Sequence, residues 1–205
     1  MTGRFVSQLV PPGGWATQHS RLPPVSRRDI GPGARFLLAA VERIGKLDAE
    51  NLWLMLLHNP RLLRGMMYMA SRLMPFGELA RRDTELVILR VAWNCRSRYE
   101  WGQHVDIGLR AGLTTDDIAC IAEGPGTLGL SEHQVELLKA CDEFHRDRMI
   151  SDTVWHQLSE RFSGRLMLEL LFLIGFYEGL AGVLNSTGLP LDMGLELKLS
   201  SLSAE

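Results

Sequence analysis

Along most of this chain apolar residues return every three or four positions, the spacing that lines one face of an α-helix. From Ala34 onward, leucines, valines and alanines keep to that interval, and no stretch alternates polar with apolar residues over the length of an ordinary strand. The pattern predicts an all-α fold. Breakers and caps divide it into helices over residues 34–45, 50–58, 60–74, 81–95, 97–111, 115–122, 131–148, 152–162 and 165–185. Pro60 fits the first turn of a helix, Gly112 a C-terminal stop, and Ser131, ahead of Glu132 and His133, an N-cap. Residues 1–33 carry Pro11, Pro12, Pro23, Pro24 and Pro32, a spacing that interrupts any long helix and predicts an extended N-terminal arm. The expected organisation is this Pro-rich arm over 1–33 followed by a single all-α domain over 34–205.

Two segments invite other readings. Residues 166–184 are apolar and about as long as a bilayer crossing requires, but Glu169 and Glu178 interrupt them. Charges are costly inside a span, so the segment is expected to be a buried helix and no membrane partner is expected. Residues 124–129, GPGTLG, satisfy the glycine spacing of a dinucleotide-binding loop, yet no strand precedes them and no βαβ unit surrounds them. They are expected to connect two helices.

Composition narrows the partners. A formal net charge of -2 over 205 residues leaves no excess of positive charge to attract phosphates, so nucleic acid is not expected. Cys95, Cys120 and Cys141 are odd in number and widely separated, which favours reduced thiols. Pro11, Pro12, Gly13 and Gly14 stand where an export signal needs an unbroken apolar stretch, so the expected location is cytoplasmic. His58, His104, His133, His145 and His156 show no compact ligand spacing. Even the closest formal pair, His145 and His156, straddles a predicted turn, and no metal site is expected.

Candidate chemistry concentrates in residues 81–113, where two predicted helices meet at a short break. On the first, Glu85 shares a face with Ile88, Leu89 and Ala92, an apolar setting in which a carboxylate needs a partner. On the second, Ser97, Glu100, His104, Ile107 and Ala111 form one stripe. Glu100 and His104 stand one turn apart, and Glu85 is placed to approach from the neighbouring helix, so two carboxylates and an imidazole are expected to share a pocket. Spacing alone is equally compatible with a solvated Glu–His pair and with a structural Glu85 bonded to a helix N-terminus or to Arg90. Ser97, Tyr99 and Trp101 are candidates to line the pocket, and Arg82 and Arg90 to meet a substrate carboxylate or pair helices.

The run ELVILRVAWNCRSRYEWGQHVDIGLRAGLT resembles the core helical hairpin of the carboxymuconolactone decarboxylase and alkylhydroperoxidase D-like family. The resemblance extends from about Asn51, through LLHNPRLLRG, to about Leu189 and includes VLNSTGLP. Peroxidases of this family carry a glutamate, a Cys-x-x-Cys pair and a histidine four residues beyond the second cysteine. Glu85 and His104 fill the outer positions, while Ser97 and Glu100 stand where the cysteines would be. That departure removes the dithiol on which peroxide reduction depends, and Cys95, two residues before Ser97, is displaced from the stripe. The Tyr-Glu-Trp-x-x-His signature is similar instead to the decarboxylase branch and other cysteine-less relatives.

The resemblance implies an AhpD-like helical bundle that assembles as dimers, trimers or hexamers, with pockets near subunit contacts and a small-molecule substrate. It implies a cofactor-independent lyase of decarboxylase type, with His104 as the principal acid or base, Glu100 orienting it and Glu85 relaying a proton or donating a hydrogen bond. The alternatives are a peroxidase-like antioxidant enzyme and a non-catalytic helical oligomer that binds a small molecule.

Overall fold

The computed structural model describes residues 9–16, 19–45 and 49–202, and among these every regular element is an α-helix. The order is α1 (Pro32–Gly45), α2 (Glu50–Leu56), α3 (Pro60–Leu73), α4 (Arg81–Asn94), α5 (Arg98–Arg110), α6 (Thr115–Glu123), α7 (Glu132–Asp147), α8 (Asp152–Ser159), α9 (Gly164–Thr187) and α10 (Met193–Ser201). The predicted helices 34–185 all appear, with shifted ends. The last helix was not predicted, although Asp192 sits at its N-cap and Leu195 and Leu199, one turn apart, are buried.

Local chemistry sets the starts. The Asn59 side chain accepts from the Leu62 amide ahead of Pro60. Thr114 with Asp117 and Ser131 with Gln134 form reciprocal capping boxes at α6 and α7. Ser151 and Ser163 cap α8 and α9 through the amides of Val154 and Leu166. Each cap of this kind is worth about 1 kcal/mol, so helix starts are fixed by residues local in sequence.

The centre of the bundle is α4, which packs against α5, α6, α7 and α9. Its residues Thr84 to Ala92 are all buried, which requires apolar neighbours on every side. The main core joins Leu86, Val87, Ile88 and Leu89 of α4 to Leu137 and Leu138 of α7 and to Leu170, Leu173 and Ile174 of α9. A second cluster gathers Ile30, Leu38, Trp53, Leu63, Tyr99 and Leu184. Leu180 and Leu191 pack against both.

Where described, the N-terminal arm lies on the body. Trp15 stacks edge-on against Trp93 at 5.7 Å and lies 5.8 Å from Trp101, and the Ala16 amide donates to the Arg96 carbonyl. Residues 1–8, 17, 18, 46–48 and 203–205 lie outside the described set, so part of the predicted arm is not placed.

The long apolar segment is α9, which has the length and composition of a membrane span but packs on α3, α4, α5, α7 and α8. Its acidic residues have specific partners: Glu169 accepts from the amides of Glu78 and Leu79, and Glu178 from His145. Only a third of the apolar window is buried, and Leu168, Phe172 and Val183 are exposed. It is thus a core helix on one face and an uncovered apolar surface on the other. Residues 124–129 connect α6 to α7 as expected. Gly124 has φ +103°, and a side chain there would meet the Arg90 guanidinium at 2.8 Å, so the glycine serves packing.

Candidate functional site

The break between α4 and α5 is a tight turn. Cys95 caps α4, Arg96 adopts a left-handed φ of 54°, and Ser97 opens α5 as its N-cap residue. The turn folds α5 back along α4, so residues 19 apart in sequence come face to face. His104 Nδ1 lies 2.7 Å from Glu85 Oε2, with Glu85 fully buried and His104 almost so. A carboxylate accepts, so Nδ1–H donates, and in the neutral imidazole Nε2 keeps its lone pair. Arg81 brings its guanidinium to 3.0 Å from the other Glu85 oxygen as an ion pair, at an angle that leaves that oxygen without a hydrogen bond. The partner on Glu85 is therefore Arg81 rather than Arg90.

Tyr177 of α9 completes this side of the site. Its ring meets the His104 ring edge-on at 5.2 Å. Burial pushes its phenol well above the ordinary range, and the charges of Glu85 and Glu100 add to that against Arg81. The phenol consequently stays a hydrogen-bond donor. Sequence reasoning missed Tyr177. The available signal was a phenol beside Glu178 in an otherwise aliphatic run, but nothing local tied it to residues 85–104.

Glu100 is buried on the first turn of α5, and neither carboxylate oxygen has a hydrogen-bond partner among the described residues. Burial raises its pKa well above the usual carboxylate range, and the negative charge of Glu178 raises it further. Burial of this kind disfavours the ionised form and favours the neutral acid. The expectation that Glu100 orients His104 is corrected, since the imidazole Nδ1–H donates to Glu85. Ser97 is also buried, with its hydroxyl unpartnered. Three oxygens with unused hydrogen-bonding capacity thus sit on one turn, where most buried polar atoms would be satisfied.

The other predicted residues lie elsewhere. Tyr99 donates to Asp192 Oδ2 at 2.7 Å and accepts from the Leu52 amide and Gln103 Nε2, joining α5 to the second core. Burial, then Asp192, keeps its phenol protonated. Trp101 is buried against Trp93 at 5.1 Å. Neither side chain joins the Glu85–His104 pair, because neighbouring helical positions point about 100° apart. Arg82 is paired bidentately with Asp117. Arg90 is bonded to Asp142 and to the carbonyls of Ile121 and Ala122. Both arginines tie helices together.

Next to this centre, His145 turns to Cys95 and Glu178 rather than to the exposed His156. Burial, with Glu100 and Glu178 contributing, pushes the Cys95 thiol up to about 12. That is far from the thiolate character a peroxidatic cysteine needs.

Residues 60–143 match the model of the Carboxymuconolactone decarboxylase family. No curated protein matches the sequence itself. Among solved structures, the fold resembles a peroxidase-related protein from Silicibacter sp. TM1040, with a TM-score of 0.75 at 14% identity over 87% of this chain and 96% of that one. It resembles a peroxidase-related protein from Ralstonia eutropha JMP134 with an alkylhydroperoxidase AhpD core, with a TM-score of 0.73 at 15% identity over 88% and 97%. The debrominase Bmp8 in complex with 2,3,4-tribromopyrrole gives a TM-score of 0.70 at 12% identity over 91% and 99%. At these identities the likenesses speak for the fold. Residues 60–143 therefore carry the pattern of the carboxymuconolactone decarboxylase family, and the chain has an AhpD-like all-α fold.

Proposed function

We propose that the protein is a cofactor-independent acid/base enzyme of decarboxylase type acting on a small conjugated carbonyl or carboxylate substrate. The observation that carries this reading is the buried Glu85–His104 pair at 2.7 Å beside the unpartnered carboxyl of Glu100. In decarboxylation the bond to the departing carboxylate breaks, carbon dioxide leaves, and the electron pair enters the conjugated carbonyl. A proton must then reach carbon. Glu85 holds His104 through Nδ1, which leaves Nε2 to serve as the principal acid or base. Glu100, as a neutral acid, donates a hydrogen bond or proton to the developing negative charge. Ser97 and Tyr177 supply hydroxyls to substrate oxygen.

The residues standing at the Cys-x-x-Cys positions, Ser97 and Glu100, supply no dithiol, which speaks against the peroxidase alternative. Self-association belongs to the same proposal, through the exposed Leu168, Phe172 and Val183 face of α9. A cytoplasmic location is retained from the sequence.

The test uses carboxymuconolactone as first probe and follows carbon dioxide release. His104→Ala and Glu85→Gln, verified as helical and assembled like the parent, are expected to lose about 100-fold or more in kcat/KM. Parent-like turnover in the folded His104→Ala protein removes His104 from the mechanism and the reading with it.

A further inference from the structure

Cys95 at the end of α4, His145 in the last turn of α7 and Glu178 in the middle of α9 place one ligand atom each within 4.8 Å of the others. His145 Nδ1 lies 3.8 Å from Cys95 Sγ and 2.7 Å from Glu178 Oε1. We propose that these three side chains form a binding site for a thiophilic divalent cation of the zinc class.

The geometry favours a cation over a nucleophilic relay. In a thiol–imidazole–carboxylate relay the two ring nitrogens face opposite partners. Here Nδ1 alone faces both the thiol and the carboxylate, so the three donor atoms converge on one point. Tetrahedral zinc at ordinary bond lengths sets S···N and N···O separations of about 3.6 and 3.3 Å. The thiol–imidazole distance already fits, and the carboxylate opens by a few tenths of an ångström once the proton between it and Nδ1 is displaced. Thiolate, imidazole and carboxylate are the donor types zinc takes.

The surroundings hold the ligands in place. Asn185 Nδ2 donates to the Cys95 carbonyl at 2.9 Å, fixing the end of α4 against α9. Arg148 pairs with the second oxygen of Glu178, leaving Oε1 toward the imidazole. His145 also borders a cavity of about 570 Å³ lined by Pro11, Arg90, Trp93, Asn94 and Arg96. Water or an exogenous anion takes the fourth position. On binding, the thiol proton leaves to solvent and the imidazole proton moves from Nδ1 to Nε2, so Cys95 becomes thiolate and Nδ1 a donor.

Untagged full-length protein, stripped with a chelator, is titrated with Co²⁺ and then Zn²⁺. One equivalent of Co²⁺ per chain is expected to produce a near-ultraviolet thiolate-to-cobalt charge-transfer band that Zn²⁺ abolishes. Cys95→Ser loses the band, His145→Gln and Glu178→Gln weaken binding by about 10-fold or more, and Cys120→Ser and His104→Ala keep it. Absence of the band in the parent protein, or its survival in Cys95→Ser, overturns the proposal. If Cys95→Ser does not fold, His145→Gln decides alone, because that ring is partly exposed at 37%, and parent-like Co²⁺ affinity there is equally fatal. The His104→Ala control separates failure of this site from failure of the acid/base centre.

Discussion

Replacing Glu100 by glutamine is expected to stabilise the protein at alkaline pH and leave it unchanged in acid. The carboxyl is buried, makes no hydrogen bond among the described residues, and has its pKa raised by burial first and by Glu178 second. In acid, below the ordinary glutamate pKa of about 4.3, folded and unfolded chains both hold the proton and the group contributes no pH dependence. As pH rises past that value the unfolded chain releases its proton first, so it binds fewer protons and the folded state loses stability until its own raised pKa is passed. The amide keeps the shape and the orphaned oxygen but cannot ionise.

Each pH unit over which the unfolded chain is ionised and the folded carboxyl is not costs about 1.4 kcal/mol, so the amide gains about 1–2 kcal/mol or more at the higher pH. For a chain of this size that is about 3–6 °C in melting temperature. Thermal unfolding of parent and variant, followed by circular dichroism at about pH 4 and about pH 8, measures the difference. A difference that is equal at the two pH values, or a variant less stable at the higher one, refutes the reasoning. Turnover is expected to fall as stability rises, since the group is then held for chemistry.

The other expectations concern neighbouring polar contacts. Arg90→Ala strands Asp142 and two carbonyls at the end of α6, and is expected to cost about 3–5 kcal/mol in urea unfolding; a loss under 1 kcal/mol, about the worth of a surface pair, assigns the residue to solvent. Tyr99→Phe removes the donor to Asp192 and the acceptor for Leu52, so a loss of about 1–3 kcal/mol with turnover retained is expected, whereas a selective loss of turnover returns Tyr99 to the substrate pocket. Phe172→Glu charges an exposed apolar face and is expected to dissociate assemblies seen by light scattering; a parent that is already monomeric, or a variant that still assembles, removes α9 as the interface.

What the sequence determined by itself was local. Helical periodicity and the caps at Asn59, Thr114, Ser131, Ser151 and Ser163 act through side chains and amides two to four residues apart, so helix number and order from residue 34 to 185 followed from the chain alone. The last helix carries the same kind of signal in Asp192, Leu195 and Leu199. The stripe of Glu100 and His104 was also local, being one helical turn, and Glu85 was marked by its apolar face.

The division of roles was not local. Whether His104 bonds to Glu85 or to Glu100 depends on the left-handed turn at Arg96, which sets the rotation of α5 against α4. Burial without a partner, which turns Glu100 from an orienting group into a neutral acid, depends on what α9 brings over it. Tyr177 lies 73 residues from His104, and His145 and Glu178 lie 50 and 83 residues from Cys95 at the α4–α5 turn, in side chains whose own neighbours are ordinary. Periodicity states which face a residue occupies; only packing states what stands opposite that face, and pKa, orientation and ligand convergence are all properties of the opposing pair.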